Sequence, residues 1–408
     1  MTTLNSNEVS ITFLSLFLLL LCSFICGKLF EKIKAPKVVG EIVGGMVLGG
    51  SFLALFFPEL YSQIFASYTE QGKVLNIFYQ LGLVFLMFSS GYNTSINITK
   101  KNIKSYGLLF VGATIFPMLL GIPFIKLFEN NFIGTAGNSL AFSLVFLISV
   151  AITSIPVISK IFFDIGMMNT KFSNMVLTVS TLQDLCLWIL LNLSISVVET
   201  GEFKVSTFII TTLLTIGLLF AAKLIERIVT KKNLVVRKHQ MSISFLLLFI
   251  LVWSLDLLNI NIMYSAFIAG YIMKSIVPQG SKEIENIKEF SMNFFVPIYF
   301  ALVGIQLDIV HNFSLVRFLI FFVIAFGLEF IGTVGAMIFT KLNKKSIISL
   351  GITMNARGGP GIVLATTAFA HGIINIEFFT VLIITTMLSS MIAGYWLRAV
   401  KDDIKDAV

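Results

Sequence analysis

Apolar stretches of about 20 residues recur along almost the whole chain, and only short polar loops separate them. A stretch of that length crosses the roughly 30 Å hydrocarbon core of a bilayer as one helix. The chain is 57% hydrophobic and only 12% charged, whereas a soluble domain carries about 25% charged residues. The pattern predicts an all-α integral membrane protein in which residues 1–408 form a single domain, with no regulatory domain after the last helix.

The predicted membrane spans number about thirteen, and no linker between them is long enough for a soluble domain. They are residues 9–30, 38–57, 74–91, 104–128, 138–163, 171–198, 204–226, 241–258, 260–277, 290–308, 314–341, 346–371 and 375–400.

Lysine and arginine residues concentrate in alternate loops. Of the 29 Lys and Arg residues, 24 fall in loops on one side of the predicted bundle and four on the other, and Arg357 lies within a span. Because cytoplasmic loops of membrane proteins are enriched in Lys and Arg, the bias predicts an outside N-terminus and a cytoplasmic C-terminus in the cell membrane. The same bias accounts for the net charge of +8 without a nucleic-acid partner.

Three charged residues fall near the centres of predicted spans: Asp184 in the sixth, Glu329 in the eleventh and Arg357 in the twelfth. An ionisable group at the bilayer centre costs at least about 2.5–3.5 kcal/mol on insertion scales, so such residues are functional candidates. For Arg357 and Glu329 a structural role is equally open. The arginine can neutralise a buried carboxylate or cap free carbonyl groups, and the glutamate can be its partner.

Two spans carry helix-breaking residues at the same depth. The fifth has Pro156 after the polar pair Thr153 and Ser154, and the twelfth has four breakers after Arg357. These four are Gly358, Gly359, Pro360 and Gly361. Proline disfavours a helical conformation at the residue before it, and glycine weakens a helix. We therefore predict that both spans are broken helices.

The two broken spans hold equivalent positions in spans 1–6 and 8–13, with span 7 between the two sets. Equivalent helices then run in opposite directions, as in an inverted repeat. Paired broken helices in two inverted repeats predict a transporter with its binding site near the midplane. Purely structural interpretations stay open. Pro156 can be a plain kink, the hydroxyls of Thr153 and Ser154 can bond back to their own helix, and Gln183 can be a neutral packing residue.

Six segments together resemble the monovalent cation:proton antiporter-2 family, in the order in which that family has its motifs. The segment 153–161 is most similar to the branch that includes plant cation/proton exchangers. The six segments are 35–45, 81–88, 153–161, 182–184, 296–304 and 354–358.

The resemblance implies a homodimer in membrane lipid that exchanges Na⁺ or K⁺ for H⁺ and needs no cofactor. It implies that Asp184 binds either a proton or a cation, beside Gln183, Thr153 and Ser154. It also implies a scaffold that forms the dimer and a core that moves against the scaffold like an elevator. The core would comprise helices at about 104–198 and 314–400, and the scaffold helices at about 9–91 and 204–308.

This sequence departs from the family pattern at two positions. The electrogenic members have two adjacent acids, whereas Gln183 precedes Asp184 here, as in potassium-efflux members, which predicts electroneutral exchange. Glu329 falls where the family usually has lysine in the eleventh helix. We predict that Glu329 pairs with Arg357 within about 6 Å, the range of a strong charge interaction. The competing interpretation has Glu329 share the cation or proton of Asp184.

The alternative function is a sodium- or proton-coupled symporter for a small organic anion on a related fold, in which Arg357 binds the substrate carboxylate. An ion channel needs a selectivity filter, and one isolated acid without a repeated filter sequence does not match one. No nucleophile and base stand together as an enzyme would require, and the histidines lie singly near span ends, so we expect neither an enzyme nor a histidine metal site.

Overall fold

The computed structural model describes residues 4–93, 102–168, 170–201, 213, 217, 239–257, 260, 262–277 and 281–404. Within these residues the regular elements are helices, and the single β-contact is an isolated bridge between Ile133 and Ile374. Seven of the helices are long and apolar enough to cross a membrane, and shorter apolar helices accompany them. The predicted all-α membrane class is confirmed. The predicted span 204–226 lies, apart from two residues, outside the described residues.

The principal helices are labelled in chain order. They are α1 Ser6–Lys32, α2 Lys37–Leu48, α3 Gln71–Asn93, α4 Ile103–Phe132, α5 Ser139–Ser149, α6 Ile155–Asp164, α7 Lys171–Thr200, α8 Gln240–Asp256, α9 Ile262–Ile276, α10 282–305, α11 Leu315–Met337, α12 Lys344–Met354, α13 Gly358–Ala370 and α14 Ile376–Ile404. Two short helices, Leu53–Phe56 and Pro58–Phe65, lie between α2 and α3.

The predicted span 38–57 matches Lys37–Phe56, one of the seven segments that are long and apolar enough to cross a membrane. It has a local interruption, because α2 ends at Leu48 and the backbone of Gly49 is extended. The span 290–308 begins earlier, at Lys282. Its first nine residues, Lys282–Phe290, are amphipathic and include three glutamates and two lysines, so a search for apolar stretches does not find them.

The chain divides into two compact units. Unit 1 comprises Met1–Asn93 and Leu213–Asn312, and unit 2 comprises Thr94–Thr212 and Phe313–Val408. All residues predicted to form the ion site, the charge pair and the helix breaks belong to unit 2. The roles predicted for the two groups of helices, scaffold and moving core, stay predictions.

In unit 1, helices approach so closely at glycines that no side chain fits between them. A Cβ atom on Gly45 of α2 would meet the backbone of Ala301 in α10, and one on Gly304 of α10 would meet the backbone of Ile42 in α2. The contact between α3 and α9 has the same reciprocal form at Gly91 and Gly270.

An aromatic cluster joins four helices of unit 2 at one end of the first broken span. Phe128 and Phe132 of α4 stack on Phe146 of α5 and Phe378 of α14, with ring centroids 5.2 and 4.7 Å apart. Phe321 of α11 packs edge-on against Phe128 and Phe378. All five rings are buried, and aromatic pairs of this geometry add about 0.5–1.5 kcal/mol each beyond their buried area. The cluster fixes α5 against α11, which carries Glu329.

Helices α4 and α11 of unit 2 meet backbone to backbone at Gly112 and Gly332. A Cβ atom on Gly112 would lie 2.7 Å from the Gly332 carbonyl oxygen, and one on Gly332 would lie 2.5 Å from the Gly112 carbonyl oxygen. Gly332 follows Glu329 by three residues, so this contact sets the distance of Glu329 from α4.

Replacing Gly332 with alanine should lower the melting temperature of the protein in detergent, because the two backbones must separate to admit the methyl group. Overpacking of a close contact costs about 1–3 kcal/mol. Gly335→Ala is the matched control on the same helix, since an added Cβ there meets nothing within 4 Å. Alanine is the better helix former by up to about 1 kcal/mol, so the control should melt no lower than the wild type. Equal melting temperatures for the two variants would contradict the close contact.

Candidate functional site

Unit 2 contains two broken helices, and the breaks lie one or two residues away from most of the predicted breakers. The first broken helix consists of α5 and α6, interrupted at residues 150–154, and the second of α12 and α13, interrupted at residues 355–357. The four glycine and proline residues predicted to interrupt the second helix instead form the first turn of α13, and Pro156 lies in the first turn of α6. Proline fits there because the first N–H groups of a helix have no partner within the helix.

The two breaks are in direct contact. The Ser154 amide donates a hydrogen bond to the Ala356 carbonyl over 2.6 Å, and the Ser154 side chain accepts from the Val157 amide as the N-cap of α6. Gly358 has a φ of 41°, and a Cβ atom on it would collide with Ser154. Glycine is therefore required at this position for the breaks to meet.

The Thr153 hydroxyl connects the first break to the second. It donates to the Met354 carbonyl oxygen over 2.6 Å and lies 3.2 Å from Glu329 Oε1. Met354 is the last residue of α12, and the amide that would bond its carbonyl in a continuous helix, that of Gly358, donates instead to Ser390 Oγ over 3.1 Å. The role of Thr153 as a direct ion ligand stays a prediction, since its hydroxyl is engaged with these two groups.

Glu329 and Arg357 form a buried ion pair. Arg357 Nη2 lies 3.2 Å from Glu329 Oε2, well inside the predicted 6 Å, and the side chains are 0% and 2% exposed for Glu329 and Arg357 respectively. The same nitrogen donates to Ala325 O and to Asn355 Oδ1. Because Oε1 of Glu329 faces Thr153, this one carboxylate contacts both breaks.

Gln183 joins helix α4 to the first break, which contains Ala151. Its side-chain nitrogen donates to the Ala113 carbonyl over 3.0 Å and also to the Ala151 carbonyl. Ala113 O is free because Pro117, four residues later, has no N–H, and α4 has a π-turn at Val111–Ile115. The sequence pattern alone allows Gln183 to be an ion-site residue or a packing residue. Pro117 is the missed signal, because its spacing of four residues from Ala113 points to a free carbonyl.

Asp184 lies next to Gln183 on α7 and is 1% exposed. Neither of its carboxylate oxygens has a hydrogen-bond partner among the described residues. Burial of a carboxylate without a partner is unfavourable by several kcal/mol, so Asp184 is poorly explained as a structural residue. The described residues contain no group of three or more His, Cys, Asp or Glu side chains that could hold a metal ion. A cation bound here would have one acidic ligand and otherwise neutral oxygens.

Comparison with known proteins identifies similar sequences over almost the whole chain. The family described as "Sodium/hydrogen exchanger, transmembrane" matches residues 16–401. The Na(+)/H(+) antiporter NhaS4 of Synechocystis sp. is 25% identical over 405 residues, which cover 96% of this chain and 97% of NhaS4. The K(+)/H(+) antiporter 1 of Saccharomyces cerevisiae is 25% identical over 424 residues, which cover 97% of this chain. The match covers 47% of the yeast protein, so this chain spans about half of the yeast protein's length.

The fold is similar to that of a solved structure, the sodium proton antiporter MjNhaP1 from Methanocaldococcus jannaschii. The TM-score is 0.63 at 15% sequence identity, and the alignment covers 98% of each chain.

Proposed function

The chain belongs to the sodium/hydrogen exchanger family, and from that membership we propose that it is a secondary antiporter exchanging a monovalent cation, Na⁺ or K⁺, for H⁺. The observation that carries the proposal is the buried and unpartnered carboxylate of Asp184 in a unit with two contacting broken helices. The names of the relatives, an Na⁺/H⁺ antiporter and a K⁺/H⁺ antiporter, support both cations.

In the proposed mechanism, Asp184 binds either a proton or the cation, and never both. A carboxylate in a site of low polarity is strongly favoured to hold one positive ion, because its bare charge is unfavourable there. Carbonyl groups at the ends of the broken helices supply neutral oxygen ligands for the cation. Alternation of the two loaded forms between the two faces of the membrane, by an elevator-like movement of unit 2 in a homodimer, then couples the cation flux to the proton flux.

Exchange itself is tested in proteoliposomes that contain a pH-sensitive dye and an acidic interior. Addition of NaCl or KCl outside should dissipate the proton gradient, with no requirement for an organic anion. A gradient that collapses only when an organic carboxylate is supplied would favour the symporter. That alternative relied on Arg357 to bind a substrate carboxylate, and the guanidinium is already paired with Glu329.

Exchange should be electroneutral, with one cation for one proton. Gln183 is neutral and the charges of Glu329 and Arg357 compensate each other, so the loaded core carries the same charge with either ion. The initial rate of exchange should be unchanged when a membrane potential is imposed. One net charge moved across 100 mV represents about 2.3 kcal/mol, so a rate that changes severalfold at 100 mV would contradict one-for-one exchange and point to Glu329 as a second proton carrier.

A further inference from the structure

The face of α7 that carries Asp184 also carries two other side chains with unpartnered polar atoms. They are Ser180, four residues before Asp184, and Trp188, four residues after it. All three residues are buried, and among the described residues the Ser180 hydroxyl, the Asp184 carboxylate and the Trp188 indole N–H have no hydrogen-bond partner. Residues four apart lie on one face of a helix, with Cβ atoms about 5–6 Å apart. Asp184 therefore lies between two unused hydrogen-bond donors.

Other buried hydroxyls of α7 are satisfied within the helix. Thr181 donates to the Leu177 carbonyl over 2.9 Å, and Ser194 donates to the Leu191 carbonyl over 2.8 Å. This is a common arrangement for a hydroxyl within a helix, and Ser180 does not adopt it. A buried polar group without a partner is unfavourable, so the polar groups on the Asp184 face require a ligand of their own.

Water is the ligand that suits these groups. Side chains of a helix lean towards its N-terminus, so Trp188 leans over the turn of Asp184, and Asp184 leans over the turn of Ser180. A gap between polar atoms that is too long for a direct hydrogen bond is spanned by one water molecule. A buried water makes about three hydrogen bonds, and the hydroxyl, the two carboxylate oxygens and the indole N–H supply polar partners along the face.

Hydrogen bonds to Asp184 bear on the competition between the proton and the cation. They stabilise the ionised carboxylate, which the cation-loaded form retains and the proton-loaded form lacks. We propose that Ser180 and Trp188 are positioning residues for Asp184, and that they hold water molecules whose hydrogen bonds reduce the advantage of the proton over Na⁺ or K⁺. The inference rests on the proposed cation exchange and goes beyond it by assigning the groups that set the balance between the two ions.

Among the side chains that the structure describes, buried charge on the helices around α7 is confined to one compensated pair. The helices that pack against α7 are α4, α5, α6, α12 and α13. Arg357, which precedes α13, is paired with Glu329. The other charged side chains described on these helices are exposed or half-buried, and they are Lys104, Lys126, Glu129, Lys160, Lys344 and Lys345.

The test compares the KM for the cation at an acidic and an alkaline pH, measured as the NaCl or KCl concentration for half-maximal exchange. Trp188→Phe keeps an aromatic ring and removes the indole N–H. At acidic pH, where the cation must displace a proton, the KM should rise about tenfold, the effect of losing one hydrogen bond to a charged group. At alkaline pH the carboxylate is already ionised and has the same hydrogen bonds before and after the cation binds, so the KM should be nearly unchanged.

Ser180→Ala should also raise the KM at acidic pH, and it tests the inference if Trp188→Phe does not fold. Ser194→Ala is the matched control, since it removes a hydroxyl of the same helix that is bonded to Leu191, and its KM should be unchanged at both pH values. Stability gives a second measurement. If the Ser180 hydroxyl holds water, Ser180→Ala should lower the melting temperature in detergent about as much as Ser194→Ala does, because each variant loses a satisfied hydroxyl.

The outcomes separate the inference from the proposed function. An equal rise in KM at both pH values in Trp188→Phe indicates a packing role and overturns the inference, and the proposed function stands. An unchanged KM at acidic pH in either folded variant also overturns it, as does a higher melting temperature for Ser180→Ala, which indicates a hydroxyl without a partner. A wild type that shows neither exchange nor stabilisation by NaCl or KCl over choline chloride overturns both.

Discussion

Replacing Asp184 with asparagine should abolish cation-dependent proton flux and leave the protein folded. Asparagine has nearly the same shape, but it neither carries the negative charge that binds the cation nor releases a proton. The wild-type carboxylate is buried and has no hydrogen-bond partner among the described residues, so removal of its charge should leave stability unchanged or raise it. Flux is measured by dye dequenching in proteoliposomes and stability by melting in detergent.

Asp256→Asn is the matched control for this substitution, because Asp256 is an exposed acid in unit 1 at the end of α8. The control should exchange ions at the wild-type rate and melt at the wild-type temperature. Near-normal flux in the Asp184→Asn variant would exclude Asp184 as the exchange site. A large fall in its melting temperature would instead show that the carboxylate has a structural role.

Replacing Glu329 with glutamine should strongly destabilise the protein, and adding Arg357→Gln should restore part of the loss. The two side chains are buried in contact, and removing one partner leaves a buried charge uncompensated, at a cost of about 3–5 kcal/mol. Removing both charges avoids that cost. The prediction is checked by the melting temperatures of the single and double variants in detergent.

The exposed pair of Arg317 and Glu377 provides the control for this cycle. Its atoms are 2.5 Å apart, but the arginine side chain is 45% exposed, and exposed pairs contribute about 0–1 kcal/mol. Arg317→Gln should therefore shift the melting temperature much less than Glu329→Gln. If the double variant of the buried pair melts below both single variants, the two residues stabilise the protein through other contacts and not through their mutual pairing.

The membrane class and the broken helices were predictable because both depend on short-range properties of the sequence. Apolar length decides whether a segment can span a bilayer, and proline and glycine locate a break within a few residues. The exact interruption was displaced because these residues also suit the first turn of a new helix, as Pro156 and Gly358 do. Sequence alone does not distinguish a residue in an interruption from one that begins the next helix.

The contacts within the candidate site could not be predicted in the same way. The bond from Thr153 to Met354 joins residues 201 positions apart, and it depends on which two break residues face each other. The depth of Glu329 in its span is compatible with an ion pair to Arg357, and equally with sharing the cation or proton of Asp184. Depth says nothing about the face of a helix on which a side chain lies, and the structure places Glu329 beside Arg357.

The missing N–H of Pro117 also constrains how this transporter could be re-engineered. The carbonyl that it frees, that of Ala113, and the carbonyl of Ala151 both receive hydrogen from the Gln183 amide. An ionised aspartate or glutamate has no hydrogen to give, so at position 183 it would place negative charge against two carbonyl oxygens. An acid at position 183 should therefore lower the stability of the protein while it is ionised. Because Pro117 frees one of the two carbonyls, the proline and the glutamine belong to one structural arrangement.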